Sequence, residues 1–283
     1  VSIRLPGADY EIHVVGDSRK PLRDFYYALL LLPWRATLAT IALGFLGANA
    51  IFALGYLLTG GIANARPGAF ADAFYFSVQT MGTIGYGAMY PETAAANALV
   101  VLESIVSLTL TALATGLVFA KFSRPTARVA FSREAVIHPL NGQPTLAIRV
   151  GNERGNRIVD LQLRCMVSRT ERTAEGHTFY RSIDLKLVRE RALSLSRSWT
   201  MLHTIDAQSP FHGATPASIA AEELELHVMI VGLDDTTMQT VHASHVYFAP
   251  NIHWNRRHAD VLTENPDGSL VLDLSKFHDT RPA

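Results

Sequence analysis

From Trp34 to Ala120 the chain carries only five formal charges, Arg35, Arg66, Asp72, Glu92 and Glu103, whereas beyond Ala120 charges recur every few residues. This asymmetry restricts the possible folds sharply, because a nearly charge-free third of a chain makes a poor soluble surface. Two apolar runs fill that third, one from about Ala36 to Leu58 and one from about Ala94 to Phe122, neither interrupted by proline. A hydrocarbon core ~30 Å thick needs about 20 helical residues, so each run can span a bilayer. The competing reading, a buried helix pair in a soluble protein, is disfavoured because neither run keeps a polar face. Arg19, Lys20, Arg23 and Arg35 precede or open the first run, and Lys121, Arg124 and Arg128 follow the second, with only Arg66 in the connecting loop. By the positive-inside rule both termini are expected in the cytoplasm, on a multi-pass protein of the cell (inner) membrane.

Ahead of the first span lies Asp24-Phe25-Tyr26-Tyr27-Ala28-Leu29-Leu30-Leu31-Leu32-Pro33-Trp34. Asp24 can cap a short helix and Pro33 should separate it from the span. Flanking basic residues and aromatic side chains suit a helix lying in the membrane interface. The alternative is that the stretch merely lengthens the first span. The expected organisation is a cytoplasmic segment and interfacial helix over 1–34, a transmembrane pore domain over 35–122 and a cytoplasmic domain over 123–283.

Between the spans, Phe70 to Gly82 reads as an amphipathic helix of about three turns, too short to cross, and therefore re-entrant. It runs into Thr83-Ile84-Gly85-Tyr86-Gly87. Non-helical backbone at membrane depth is tolerated only where protein buries it or where it lines a cavity. Glycines permit backbone angles that put successive carbonyls on one side. Four such loops around an axis replace the water shell of a dehydrated potassium ion, with the Thr83 hydroxyl at the inner end and Tyr86 turned away as a brace. One chain supplies one loop, so a homotetramer is implied.

After Arg124-Pro125, seven segments alternate or run apolar at strand length: 129–131, 145–150, 158–167, 183–188, 199–205, 225–232 and 241–247. Short strands at this spacing suggest a β-sandwich. Thr215-Pro216 should start a short helix over 216–223. Cys165 is the only cysteine, so no intrachain disulfide can form, consistent with a reducing cytosol. No secretory leader is expected. No phosphate-binding glycine loop or paired-cysteine zinc site is present, and His242 and His245, three apart in a strand, would face opposite sides. The sequence therefore points to no enzyme, no cofactor, no metal beyond transported potassium and no nucleic-acid partner.

The run FSVQTMGTIGYG resembles the pore of inward-rectifier potassium channels, the prokaryotic members above all. The resemblance continues through ESIVSLTLTALATGLVFAKFSRP, the family's inner helix and basic exit, through WTMLHTIDAQSPF, and through ELELHVMIVGLDDTTMQTVHASHVY, the strand pair and loop that narrow the cytoplasmic pore. It covers roughly residues 20 to 280. It implies an immunoglobulin-like fold for the cytoplasmic domain, four copies of which would extend the pore. It also implies Thr111 and Thr115 in the pore cavity, Phe119 at a hydrophobic gate, Gly116 as a hinge, and Gly232, Leu233 and Met238 at the cytoplasmic constriction. Thr115 and Phe119 share a helix face by their spacing of four. Glu103 and Gln79 are expected to support the filter. The family often has glutamate where Gln79 stands and arginine where Met89 stands, so the usual ion-pair brace is missing. Thr111 stands where strong rectifiers carry an acid, so polyamine block should be weak.

Arg19, Lys20, Arg23, Lys121 and Arg124 form a candidate site for anionic or phosphoinositide lipid. The sequence leaves the sign of the lipid effect open, and prokaryotic relatives favour inhibition. The expected function is a potassium channel gated by movement of the inner helix and cytoplasmic domain. Two alternatives stand beside it: a poorly selective cation channel, and a membrane-anchored ligand sensor with a vestigial pore. The intact TIGYG argues against the second.

Overall fold

The computed structural model describes residues 2–3, 12–13, 15, 25–123 and 127–283. Arg19, Lys20, Arg23, Asp24 and Arg124 lie outside the described residues. The chain divides into two compact units, Ser18–Arg124 and Val1–Asp17 with Pro125–Ala283. In the second of these, β1 (Ser2–Ile3) and β2 (Ile12–His13) form an antiparallel pair of their own.

The helical unit holds α1 (Phe25–Leu31), α2 (Trp34–Thr59), α3 (Phe70–Met81) and α4 (Ala94–Phe122). Pro33, at φ −63° and ψ 154°, separates α1 from α2, because the residue ahead of the helix is extended and proline gives no N–H to continue α1. The stretch before the first span is thus a separate helix rather than an extension of it. Gly60, at φ 65°, ends α2, a conformation that glycine adopts without steric cost. The Thr93 hydroxyl caps α4 by accepting from the Ala96 N–H at 3.2 Å. Helices α2 and α4 are the two described helices long and apolar enough to cross a membrane. A small apolar core of Phe52, Tyr56, Ala73, Phe76 and Met81 joins α2 to α3, with Tyr56 and Phe76 edge to face at 5.0 Å. Strands β3 (Ile62–Ala63) and β4 (Tyr90–Pro91) pair across the two ends of the connecting loop.

The other unit is a β-sandwich. Its strands are β5 (Val129–Phe131), β6 (Ala135–Leu140), β7 (Gln143–Asn152), β8 (Ile158–Arg172), β9 (Thr178–Asp184), β10 (Arg191–Leu195), β11 (Ser198–Thr204), β12 (Glu225–Asp234), β13 (Thr240–Phe248) and β14 (Ile252–Trp254). One sheet runs β10-β8-β12-β13 with β9 also on β8, and the other β11-β7-β6-β14 with β5 also on β7. Their facing sides bury Leu146, Ile148, Leu161, Leu163, Leu226 and Ile230. Strand β12 shows the period of two that such a sheet demands, with Leu226, Val228, Ile230, Gly232 and Asp234 buried and their neighbours half-buried. The helix α5 (Pro216–Ala221) starts at a capping box of Thr215 and Ser218. Beyond it, β15 (Arg256–His258) pairs with β18 (Thr280–Pro282), and β16 (Leu262–Glu264) with β17 (Leu270–Leu272).

The expected strand over 183–188 is displaced. The strand is β9, which ends at Asp184; Leu185 makes one further bond to the Cys165 carbonyl, and then Leu185 and Leu187 turn inward as core residues. The C-terminal segment is clamped by Arg149, buried in β7. Its guanidinium donates to the carbonyls of Ala259 at 2.5 Å, Phe277 at 3.1 Å and Lys276 at 3.3 Å. The segment WTMLHTIDAQSPF is strand β11 followed by a locked turn. The Ser209 hydroxyl lies 2.8 Å from His203 Nε2, and His203 Nδ1 lies 2.7 Å from the Lys186 carbonyl.

Candidate functional site

The loop after α3 has an alternating backbone. Thr83, Gly85 and Gly87 have φ of 56°, 61° and 78°, whereas Ile84 and Tyr86 lie outside the left-handed region. Alternation of this kind turns successive peptide planes so that their carbonyls can face one side. Thr83 is not a glycine and holds this conformation at a cost, which is a form of strain often found at functional sites. The loop is anchored at its inner end. The Ile84 and Gly85 N–H groups both donate to the Gln79 carbonyl, at 2.8 and 3.3 Å, and Thr83 N–H donates to the Thr80 carbonyl at 3.0 Å. Gln79 thus holds the loop through its backbone. The C-terminal end of α3, the partially negative end of its dipole, abuts the loop and favours a cation there. At the outer end the Asn64 amide donates to the Ala88 carbonyl at 2.8 Å. Arg66 grips Asp72, in the first turn of α3, through two side-chain bonds of 2.9 and 2.8 Å and one backbone bond.

Glu103 is fully buried on α4. The Tyr56 hydroxyl on α2 donates to its Oε2 at 2.6 Å, and the Ser77 hydroxyl oxygen on α3 lies 2.5 Å from its Oε1. Ser77 also lies 2.9 Å from Asn49 Oδ1, and the Asn49 amide donates to the Phe45 carbonyl at 2.8 Å and to Met81 Sδ at 3.3 Å. About one turn further along α4, Ser107 donates to the Met81 carbonyl at 2.6 Å. Met89 packs against the apolar core instead of forming an ion pair. Sequence reasoning singled out Glu103 but missed Asn49, Tyr56, Ser77 and Ser107. Asn49 had a usable signal: it is the only side-chain amide in an otherwise apolar first span.

Further along α4, Thr111, Thr115 and Phe119 follow one another at spacings of four and are exposed, Phe119 at 71%. Helix α4 runs unbroken through Gly116, where an added Cβ would meet nothing within 4 Å. Lys121 is turned inward: its ammonium donates to the carbonyls of Leu30 and Leu32, at the end of α1, and sits 5.5 Å from the Trp34 ring centroid. A lipid headgroup at Lys121 would compete with these contacts.

In the sandwich, the expected constriction over Gly232 to Met238 divides. Gly232 and Leu233 belong to β12, and Gly232 sits at a register shift against β8. A Cβ at Gly232 would lie 2.7 Å from Ile158 Cγ2, so sheet packing leaves room for no side chain at this position. The turn itself follows Asp234, whose carboxylate accepts from Thr236 N–H, Thr237 N–H and the Asn156 amide. Met238 ends that turn at φ 55° and is 70% exposed. His242 and His245 do not converge, and no cluster of metal-ligating side chains exists among the described residues. His245 instead stacks on Phe131 at 5.6 Å.

A family model described as the inward rectifier potassium channel C-terminal domain matches residues 129–283, and one described as ion channel matches residues 39–124. The chain is 42% identical to the inward rectifier potassium channel Kirbac3.1 of Paramagnetospirillum magnetotacticum over 264 residues, covering 93% of this chain and 90% of that one. It is 29% identical to ATP-sensitive inward rectifier potassium channel 8 of Homo sapiens, covering 94% of this chain and 70% of the other. To inward rectifier potassium channel irk-1 of Caenorhabditis elegans it is also 29% identical, covering 96% of this chain and 55% of the longer relative.

Proposed function

The chain belongs to the inward rectifier potassium channel family, and from that premise we propose that four copies assemble into a pore that conducts potassium through a filter of Thr83, Ile84, Gly85, Tyr86 and Gly87. The observation that carries the reading is the alternation of φ along this loop, anchored on the Gln79 carbonyl at the end of α3. Carbonyls presented in that way can replace the hydration shell of a potassium ion. A single chain leaves Ile84 48% and Tyr86 75% exposed, which fits a site that needs further copies to be complete. A poorly selective cation pore is the weaker reading, because the bonds of Glu103 to Tyr56 and Ser77 supply the bracing that the ion pair absent at Gln79 and Met89 would give.

Both termini face the cytoplasm in this reading, and the membrane is the cell (inner) membrane. Phe119 forms the gate, a ring of four phenylalanines that closes by excluding water; Thr111 and Thr115 line the cavity above it, and Gly116 lets α4 bend. Leu233 and Met238 narrow the cytoplasmic pore. Anionic lipid at Arg19, Lys20, Arg23, Lys121 and Arg124 shifts the balance of open and closed states, each basic residue contributing ~1 kcal/mol, and inhibits.

The test is cation flux from purified protein in liposomes. Potassium uptake that sodium cannot match is expected, together with a response to phosphoinositide. Equal uptake of both ions would leave the weaker reading standing.

A further inference from the structure

The hydrogen bonds around Glu103 do not close unless one more proton is present. Ser77 has a single hydroxyl proton, yet its oxygen lies within hydrogen-bond distance of two acceptors, Glu103 Oε1 at 2.5 Å and Asn49 Oδ1 at 2.9 Å. The Asn49 amide cannot be reversed to resolve this. Its Nδ2 faces the Phe45 carbonyl and Met81 Sδ, and a reversed amide would set oxygen against a carbonyl oxygen. Tyr56 supplies the other oxygen of the carboxyl, Oε2, and not Oε1. An ionised Glu103 would therefore leave a buried oxygen pair in close contact with no proton between them. Glu103, Ser77 and Asn49 are each at 0% exposure, and a buried ionised carboxylate with no cation beside it is costly.

We propose that Glu103 holds a proton on Oε1 and donates it to Ser77, which donates in turn to Asn49. The donor chain then runs in one direction: Tyr56 O–H to Glu103 Oε2, Glu103 Oε1–H to Ser77 Oγ, Ser77 O–H to Asn49 Oδ1, and Asn49 N–H to Phe45 and Met81. Every member has its partner. The chain joins α2, α3 and α4 behind the filter loop without any net charge, so that Tyr56, Ser77 and Asn49 are positioning residues for the filter. This consequence rests on the potassium-filter reading; the proton itself does not.

Glutamine is the decisive substitution, because its amide N–H and carbonyl reproduce the donor and acceptor pattern of a protonated glutamate but not that of a carboxylate. Infrared difference spectroscopy of the full-length tetramer in lipid at neutral pH should show the carbonyl stretch of a protonated carboxyl in the wild type and not in Glu103→Gln. Tyr56→Phe should keep that band and move it to higher wavenumber, since the carbonyl oxygen loses its donor. In liposomes Glu103→Gln should keep potassium-over-sodium discrimination within about twofold of wild type, while Glu103→Ala, which leaves the Tyr56 hydroxyl without its acceptor and Ser77 Oγ without its donor, should lose about tenfold or more. Absence of the band, or a Glu103→Gln variant as impaired as Glu103→Ala, would overturn the proposal. If Glu103→Gln does not assemble, the presence of the band and its shift in Tyr56→Phe decide the matter. A wild type that carries the band but shows no potassium preference would sink the filter reading and leave the proton in place.

Discussion

Replacing Gly85 by valine tests the filter where its backbone is most demanding. Gly85 sits at φ 61°, and a Cβ built there meets nothing within 4 Å. Steric clash within the chain is therefore not the issue, and the cost that can be worked from it is conformational. An L-residue in the left-handed region costs about 1–2 kcal/mol, and a β-branched one sits at the upper end. Four copies around one pore would raise this to about 4–8 kcal/mol if the ring must hold that conformation together. Such a penalty lowers the conducting population by about three to six orders of magnitude. The mutated peptide relaxes by rotating, which takes its carbonyl out of the row. Gly142, at φ 79° in the turn between β6 and β7, is the matched control, because its built Cβ also meets nothing within 4 Å. Gly142→Val carries the same local strain far from the filter loop in sequence, and it should leave potassium flux intact. The assay is potassium uptake into liposomes, with tetramer recovery checked by size-exclusion chromatography. Wild-type potassium-selective flux through intact Gly85→Val tetramers would refute the filter assignment, and silence in both variants would trace the loss to folding instead.

Thr111→Asp should strengthen spermine block about tenfold or more, because one charge pair at ~8 Å and an effective dielectric near 20 contributes about 2 kcal/mol; unchanged block would remove Thr111 from the cavity wall. Phe119→Ala should raise resting flux, and Lys121→Gln should blunt the response to anionic lipid, both read in the same liposomes; indifference to both would place the gate elsewhere. Burial, with the nearby Arg149 charge adding to it, pushes His258 down to about 4. The folded protein therefore keeps His258 neutral where the unfolded chain, near 6.5, takes up a proton. Its contribution is complete above about pH 6.5 and is lost as pH falls toward 4, by up to ~3 kcal/mol per subunit. Thermal melts across that window should flatten in His258→Gln, and an identical pH slope in the two proteins would count against the assignment.

The parts of this fold that were legible in the sequence are those whose cause lies within a few residues. Pro33 ends α1 by its own chemistry, Thr215 caps α5 with Ser218 three residues on, and the limits of α4 are those of its apolar run. Strand β9 was misplaced because Leu185 and Leu187 are apolar and buried without being strand, so that burial and sheet pairing part company there. Gly232 was placed at the end of a strand, but a glycine between apolar residues carries no sign of which neighbour excludes a side chain; only the fold brings Ile158 against it. The loop over 83–87 stood out as a motif, and Glu103 as a residue behind it, but the partners of Glu103 did not. Tyr56 and Glu103 are 47 residues apart, Ser77 and Glu103 26 apart, and Asn49 and Ser77 28 apart. A polar residue inside an apolar span announces that a partner exists, yet no local pattern names it. The consequence is mechanical. Glu103 and Ser107 bond to Ser77 and the Met81 carbonyl of α3 from the same continuous helix that carries Phe119, and in the proposed pore these bonds stand in for an ion pair at Gln79 and Met89. A displacement of α4 large enough to part a ring of Phe119 side chains must either leave its upper turns in place, by bending near Gly116, or disturb the bonds behind the filter. Glycine's conformational freedom at Gly116 favours the first course, and a rigid α4 would impose the second.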